Sequence, residues 1–135
     1  MSEIRIDLPH KQIGVAVIWD SQKRILIDRR LDKGEMGGLW EFPGGKIELG
    51  ETVAECIERE IKEELAIEVS VGEPLIIVKH HYNNFKVTLF VHHCQYLGGT
   101  PKPIACQEFR WVRIAELDGY RFPQANTQII RALQQ

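Results

Sequence analysis

Long apolar runs are missing from this chain: nowhere does it hold the ~18 consecutive apolar residues that a membrane-crossing helix needs. Its N-terminus shows no basic segment followed by an apolar one, so no leader peptide is predicted and a cytoplasmic protein is expected. Cysteine is scarce. The three present, Cys56, Cys94 and Cys106, are odd in number and widely spaced, which excludes a disulfide scaffold and suits small buried side chains in a reducing compartment. No sign of charge dominates: 17 Lys and Arg stand against 19 Asp and Glu, for a net charge of −2. That balance argues against a surface built to wrap a nucleic-acid polymer, while a single nucleotide stays compatible as ligand. Repeats, low-complexity tracts and linkers are absent as well. What is there is 135 residues, 44% of them hydrophobic, enough for one domain over 1–135 with a sizeable core and a monomer favoured.

Residues 1–10 carry no pattern and read as a lead-in. Ile13, Val15, Val17 and Trp19 alternate with Gly14, Ala16 and Ile18, predicting a strand buried on both faces. Turn residues over 20–23 lead to a second strand over 24–29. The stretch 31–38 holds Gly34, Gly37 and Gly38 and reads as a mobile loop, and Pro43-Gly44-Gly45 reads as a turn. A short strand is predicted over 68–71, with Gly72-Glu73-Pro74 as a turn. Two longer strands follow over 75–81 and 86–96, joined by Tyr82-Asn83-Asn84-Phe85. The segment 98–103 reads as a loop, 108–113 as a last strand, 115–117 as a helical turn and 126–133 as a closing helix. Strands and helices mixed along one short chain predict an α/β domain, in the broad sense that includes an α+β mixed sheet.

The segment 44–67 organises the rest. A helix is predicted over 52–65, because the stretch lacks Pro and Gly and Val53, Cys56, Ile57 and Ile61 make one apolar stripe. Glu60 and Glu64 fall inside that stripe, with Glu63 at its border. Like charges at that spacing repel, and buried unpaired carboxylates tend to take up protons. A divalent cation removes the conflict, and oxygen ligands with no Cys–His cluster nearby suit Mg²⁺ or Mn²⁺. A solvated surface helix is the plainer alternative. Against it stand Pro43, Gly44, Gly45 and Gly50, a backbone-permissive entry that can bring peptide groups and cation together around a phosphate chain.

The same segment resembles the Nudix box, G-x5-E-x7-R-E-U-x-E-E-x-G-U, where U is a bulky aliphatic residue. Gly45, Glu51, Arg59, Glu60, Ile61, Glu63, Glu64 and Ile67 match it position by position, and Ala66 replaces the second glycine. If Ala66 takes a left-handed, helix-ending conformation, that departure costs roughly 1–2 kcal/mol. The resemblance implies a mixed sheet between helices and hydrolysis of a nucleoside diphosphate linked to another group. It makes Glu60, Glu63 and Glu64 metal ligands with the Gly44 carbonyl, and Arg59 their orienting cation together with Glu51. It also implies one more acid from the region of Glu108, as ligand or base; a surface acid at a strand edge is the alternative.

Beyond the box the chain is similar to the MutT branch, which clears oxidised guanine nucleotides such as 8-oxo-dGTP. The matching pieces are Asp28-Arg29-Arg30, Glu41-Phe42-Pro43-Gly44-Gly45 and Phe122-Pro123-Gln124-Ala125-Asn126, which with the box span 28 to 126. That likeness makes Asn126 a reader of the base; an equally open reading is that Asn126 only caps the last helix. Arg30, Glu41, Phe42 and Tyr82 are substrate-contact candidates, with surface ion pairs or core packing as alternatives. His80-His81 and His92-His93 cannot chelate as neighbours, because adjacent strand residues point to opposite faces.

Overall fold

The computed structural model describes residues 8–135. The lead-in expected over 1–10 therefore lies mostly outside the described residues, and His10 already opens a strand. Strand β1 (His10–Trp19) and strand β2 (Ile25–Arg30) meet at Trp19 and Ile25 and then part. The gap between them is filled by one extended segment. Its first piece, β3 (Trp40–Glu41), pairs with β2 at Asp28 and Arg29. Its second, β4 (Gly44–Lys46), pairs with β1 over Ile13 to Val15. Gly44 and Gly45 are thus strand residues, and the turn their composition suggests is reduced to a bend at Pro43. Gly44 lies so close to β1 that a Cβ there would collide with the Gly14 carbonyl, so a side chain at this position is excluded by close approach.

Helix α1 (Val53–Leu65) follows, then β5 (Glu68–His81), β6 (Lys86–Gly98) and β7 (Cys106–Val112). The chain closes through short 3₁₀ turns at Ile114–Gly119 and Gln124–Asn126 into helix α2 (Thr127–Leu133). Strand β6 runs parallel to β1 along its whole length while every other pairing is antiparallel, so the seven-stranded sheet is mixed. Where composition suggested a turn at Gly72-Glu73-Pro74, β5 continues with shifts of register between Val71 and Ile76. Proline donates no ladder bond, and β5 is an edge strand, where a bulge accommodates it.

Alternation along β1 and β2 sends side chains to two cores. Ala16, Ile18 and Leu26 pack with Ile57, Ile61 and Leu65 of α1. Val15, Val17, Ile25 and Ile27 pack on the opposite face with Leu117, Ile129 and Leu133. The sheet therefore lies between α1 and α2, and residues of both faces are fully buried. All three cysteines are free and buried. Among the described residues, no helix is long and apolar enough to cross a membrane.

Candidate active site

Local chemistry fixes α1 in place before its carboxylates matter. The Thr52 hydroxyl accepts from the Glu55 N–H at 3.1 Å and the Glu55 carboxylate accepts from the Thr52 N–H at 2.9 Å, a reciprocal capping box. At the other end Ala66 adopts φ +58° and donates its N–H to Lys62, so the left-handed cap forms without the usual glycine. Between these ends the apolar stripe turns Glu60 and Glu64 toward β3 and β4.

Arg59 gathers the acids on one side. It donates to both oxygens of Glu51, at 2.7 and 2.9 Å, and to Glu60 Oε1 at 2.7 Å. A longer bond reaches Glu63 Oε2 at 3.4 Å, and Nη2 donates to the Lys46 carbonyl at 3.1 Å. Those hydrogen bonds, with the Glu48 N–H, hold the Glu51 carboxyl down at about 2. A Cβ on Gly45 would overlap the Glu60 carboxylate, so only glycine lets that acid sit against β4. Cys56 donates its thiol proton to the Gly45 carbonyl at 3.4 Å, and burial pushes its pKa up to about 11. It serves packing, not nucleophilic attack.

Glu64 is different, having no arginine of its own. Burial raises its pKa to about 9, and Glu60, Glu41 and Glu63 push the same way. Facing it across the groove is Asp28, a residue that sequence reasoning matched but gave no role. Only 2% of Asp28 is exposed, its Oδ2 has no partner, and burial with Glu41 and Glu64 beside it raises its pKa strongly. The available signal was its place on β2 between Leu26 and Arg30, a charged residue on the face of a strand that should be buried. Asp28 stands directly across from Glu41 in the ladder, and Arg30 Nη1 donates to Glu41 Oε1 at 2.9 Å.

Among the described residues no three acidic, imidazole or thiol groups already converge as a finished metal cage. The donor set nevertheless fits a hard divalent cation: oxygen atoms only, more carboxylates than counter-cations, and two acids, Asp28 and Glu64, forced toward their protonated forms. Magnesium commonly takes few protein ligands and completes its shell with water and substrate phosphate.

Two connected hollows adjoin these acids. A cleft of about 470 Å³ is lined by Ile13, Val15, Phe42, Tyr82, Leu89 and Asn126, among others, with Arg30, Glu41 and Gly44 at one end. A second hollow, about 300 Å³, shares Arg30, Lys33, Glu41 and Gly44 with the first and adds Glu64. The expected loop over 31–38 supplies Lys33, Gly34, Glu35 and Met36 to the rim of the larger cleft. Phe42 stacks on Phe122 with ring centres 5.2 Å apart. Asn126 is 9% exposed, stands at the start of α2 and makes no side-chain capping bond.

In the structure Glu108 does not stand beside these acids. It lies opposite Arg29 in the ladder, and strand alternation puts that pair on the face away from Asp28, Glu41 and Glu64. Its carboxylate is bound by Arg110 at 3.1 Å and lies 3.6 Å from Arg29, so its charge is already matched. The paired histidines are spent elsewhere: Trp19 Nε1 donates to His93 Nδ1 at 3.0 Å, and His92 Nδ1 donates to the Gly72 carbonyl at 2.9 Å.

Comparison with known proteins follows the same outline. The family model described as NUDIX domain matches residues 14–132. The chain is 31% identical over 122 residues to an 8-oxo-dGTP diphosphatase of Escherichia coli, covering 90% of this chain and 95% of that one. It is 30% identical over 118 residues to a CTP pyrophosphohydrolase of the same organism, covering 87% of each. A crystal structure of a MutT protein from Methanosarcina mazei superposes with a TM-score of 0.86 at 23% identity, covering 96% of both chains, and speaks for the fold alone.

Proposed function

We propose, for a chain that belongs to the Nudix hydrolase family, one particular reaction: 8-oxo-dGTP and water give 8-oxo-dGMP and pyrophosphate, with Mg²⁺ as the working cation. Enzymes of this family act on nucleotide substrates with a divalent metal; the oxidised purine and the identity of the ion are the proposal's own. One observation carries it. A nearly buried asparagine amide that makes no capping bond to α2 lines an apolar cleft, and that cleft runs past Arg30 and Glu41 toward Glu64.

The chemistry of recognition follows from the amide. Oxidation at C8 gives the purine an N7–H donor beside the O6 acceptor, whereas guanine offers two acceptors on that edge. Asn126 accepts with Oδ1 and donates with Nδ2, so it pairs with the oxidised edge and meets ordinary guanine acceptor to acceptor. Burial makes such a mismatch costly, and a site built this way discriminates strongly. Phe42 and Tyr82 supply the apolar walls.

At the other end, Glu60, Glu63, Glu64 and the Gly44 carbonyl hold the cation, and Arg59 and Glu51 fix the carboxylates around it. When bound, the cation supplies positive charge against the phosphate oxygens and the departing pyrophosphate. Arg30 and Lys33, at the junction of the two hollows, orient the phosphate chain between the base and the acids. The three buried thiols fit a reducing, cytoplasmic setting.

A substrate panel in Mg²⁺ tests the reading: kcat/KM for 8-oxo-dGTP, dGTP, CTP, ADP-ribose and diadenosine polyphosphates. The highest value is expected for 8-oxo-dGTP. A higher value for CTP would move the chain to another Nudix substrate, which the CTP pyrophosphohydrolase likeness makes the second reading. No turnover of any member would leave a nucleotide-binding module.

A further inference from the structure

The residues 123–126 that lead into α2 present a difficulty. The Gln124–Asn126 turn has unsatisfied backbone N–H groups at its start, as every helical segment does. A side chain within the segment ordinarily caps them. Here neither Pro123 at the front of the turn nor Asn126 at the front of α2 makes a side-chain cap.

The partner comes from 43 residues away: the Ala125 N–H donates to the Tyr82 hydroxyl oxygen at 3.0 Å. Tyr82 is itself held firmly. Its N–H donates to the Phe85 carbonyl at 2.8 Å, closing the β5–β6 hairpin. The edge of His80 packs on its ring at 4.4 Å, and Phe85 lies 4.9 Å away on a tilt. Lys11 Nζ then sits 4.1 Å over the Phe85 ring. The phenol oxygen is thus a fixed acceptor at the tip of the hairpin, one residue away from the side chain that lines the cleft.

We infer that the Tyr82 hydroxyl is a positioning residue for substrate choice: it holds the Gln124–Asn126 turn through the Ala125 N–H and so fixes where the neighbouring Asn126 amide stands to read the nucleotide base. This rests on the proposed reading of Asn126. It assigns Tyr82 a duty that a phenylalanine, equally good as an apolar wall, cannot perform.

Tyr82→Phe keeps the ring and removes the acceptor. The ratio of kcat/KM for 8-oxo-dGTP over dGTP is expected to fall by about five- to tenfold, as for loss of one hydrogen bond, with the change in KM for the oxidised nucleotide and little in kcat. In an Asn126→Ala background the same substitution is expected to leave that ratio where Asn126→Ala put it, because one residue acts through the other. The amide proton of Ala125 and the side-chain NH₂ resonances of Asn126 report without any turnover. Tyr82→Phe should speed hydrogen exchange at Ala125 and shift the Asn126 signals in a protein of unchanged circular dichroism. A wild-type enzyme that treats the two nucleotides alike would overturn the base reading alone, and the resonances then decide the tether. Unmoved Asn126 signals, or an effect of Tyr82→Phe that simply adds to that of Asn126→Ala, would overturn the inference.

Discussion

At Glu64 the fold places a carboxylate where burial and three neighbouring acids all oppose its charge, while Arg59 is already engaged with Glu51 and Glu60. Removing that charge should spare the fold and damage the chemistry. Glu64→Gln is expected to lower kcat by ~100-fold or more, since even outer-shell losses at metal sites cost 10–100-fold; circular dichroism and Tm check that the protein stays folded. A nearly normal rate would take Glu64 out of the site. Asn126→Ala belongs to the other end of the cleft. It should reduce the preference for 8-oxo-dGTP over dGTP roughly tenfold or more, measured as a ratio of kcat/KM. Equal losses on both nucleotides would count against base reading. At this scale the box was legible because its residue types and spacing are distinctive. Asp28 was not, because its importance comes from Glu41 across the ladder and Glu64 on α1, and no local signal announces either neighbour. Glu108 stands apart from these acids for the related reason that one step along a strand reverses the face, and the register that decides the face is set by Arg29 on another strand.

Elements were read with uneven success, and the reasons are physical. Helix α1 lies within the predicted 52–65 because its apolar period and Thr52-x-x-Glu55 cap are local features. Strands β3 and β4 are two and three residues long, and what makes them strands is the space left where β1 and β2 part. A Pro-Gly-Gly sequence cannot reveal that space. In β5 the same punctuation produced a bulge, because β6 continues beside it and holds the strand in line. The end of α1 offers a test at this scale. Ala66 sits at φ +58°, where glycine carries no penalty from a side chain. Ala66→Gly is expected to stabilise the protein by about 1 kcal/mol, the left-handed strain less the added freedom of the unfolded chain, which corresponds to roughly 3 °C in Tm. A lower Tm would mean that the alanine methyl contributes packing worth more than the strain.

For the whole molecule, a buried acidic groove means that folding and cation binding are linked. Asp28 and Glu64 have folded-state pKa values above their unfolded ones, so the native protein binds more protons than the unfolded chain between the two values. Stability of the cation-free protein then falls as pH rises from the ordinary carboxylate range toward about 9, the value for Glu64. Glu41, Glu60 and Glu63 face Glu64 with the same sign, and Arg30 on β2 offsets Asp28. His93, whose pKa burial lowers, contributes in the opposite direction below its ordinary 6.5. The buried thiols enter only near pH 9, their ordinary value. The window from pH 7 to 8 therefore isolates the acids. In EDTA the Tm is expected to drop across it, less steeply in Glu64→Gln, and Mg²⁺ should flatten the wild-type slope. A rise in Tm with pH under EDTA would contradict the linkage. The layered architecture itself was legible as an α/β domain, because mixed strand and helix periods reach that far; the order of strands rests on long-range pairing, above all β1 beside β6.

The most direct test of the central claim, that the acids of α1 are held for a cation, is a Mn²⁺ titration followed by NMR of side-chain and backbone signals with Mg²⁺ as competitor. Signals of Glu60, Glu63, Glu64 and Gly44 should broaden first, and excess Mg²⁺ should restore them. Broadening that begins elsewhere, or none at Glu60 and Glu64 even with nucleotide added, would contradict the account.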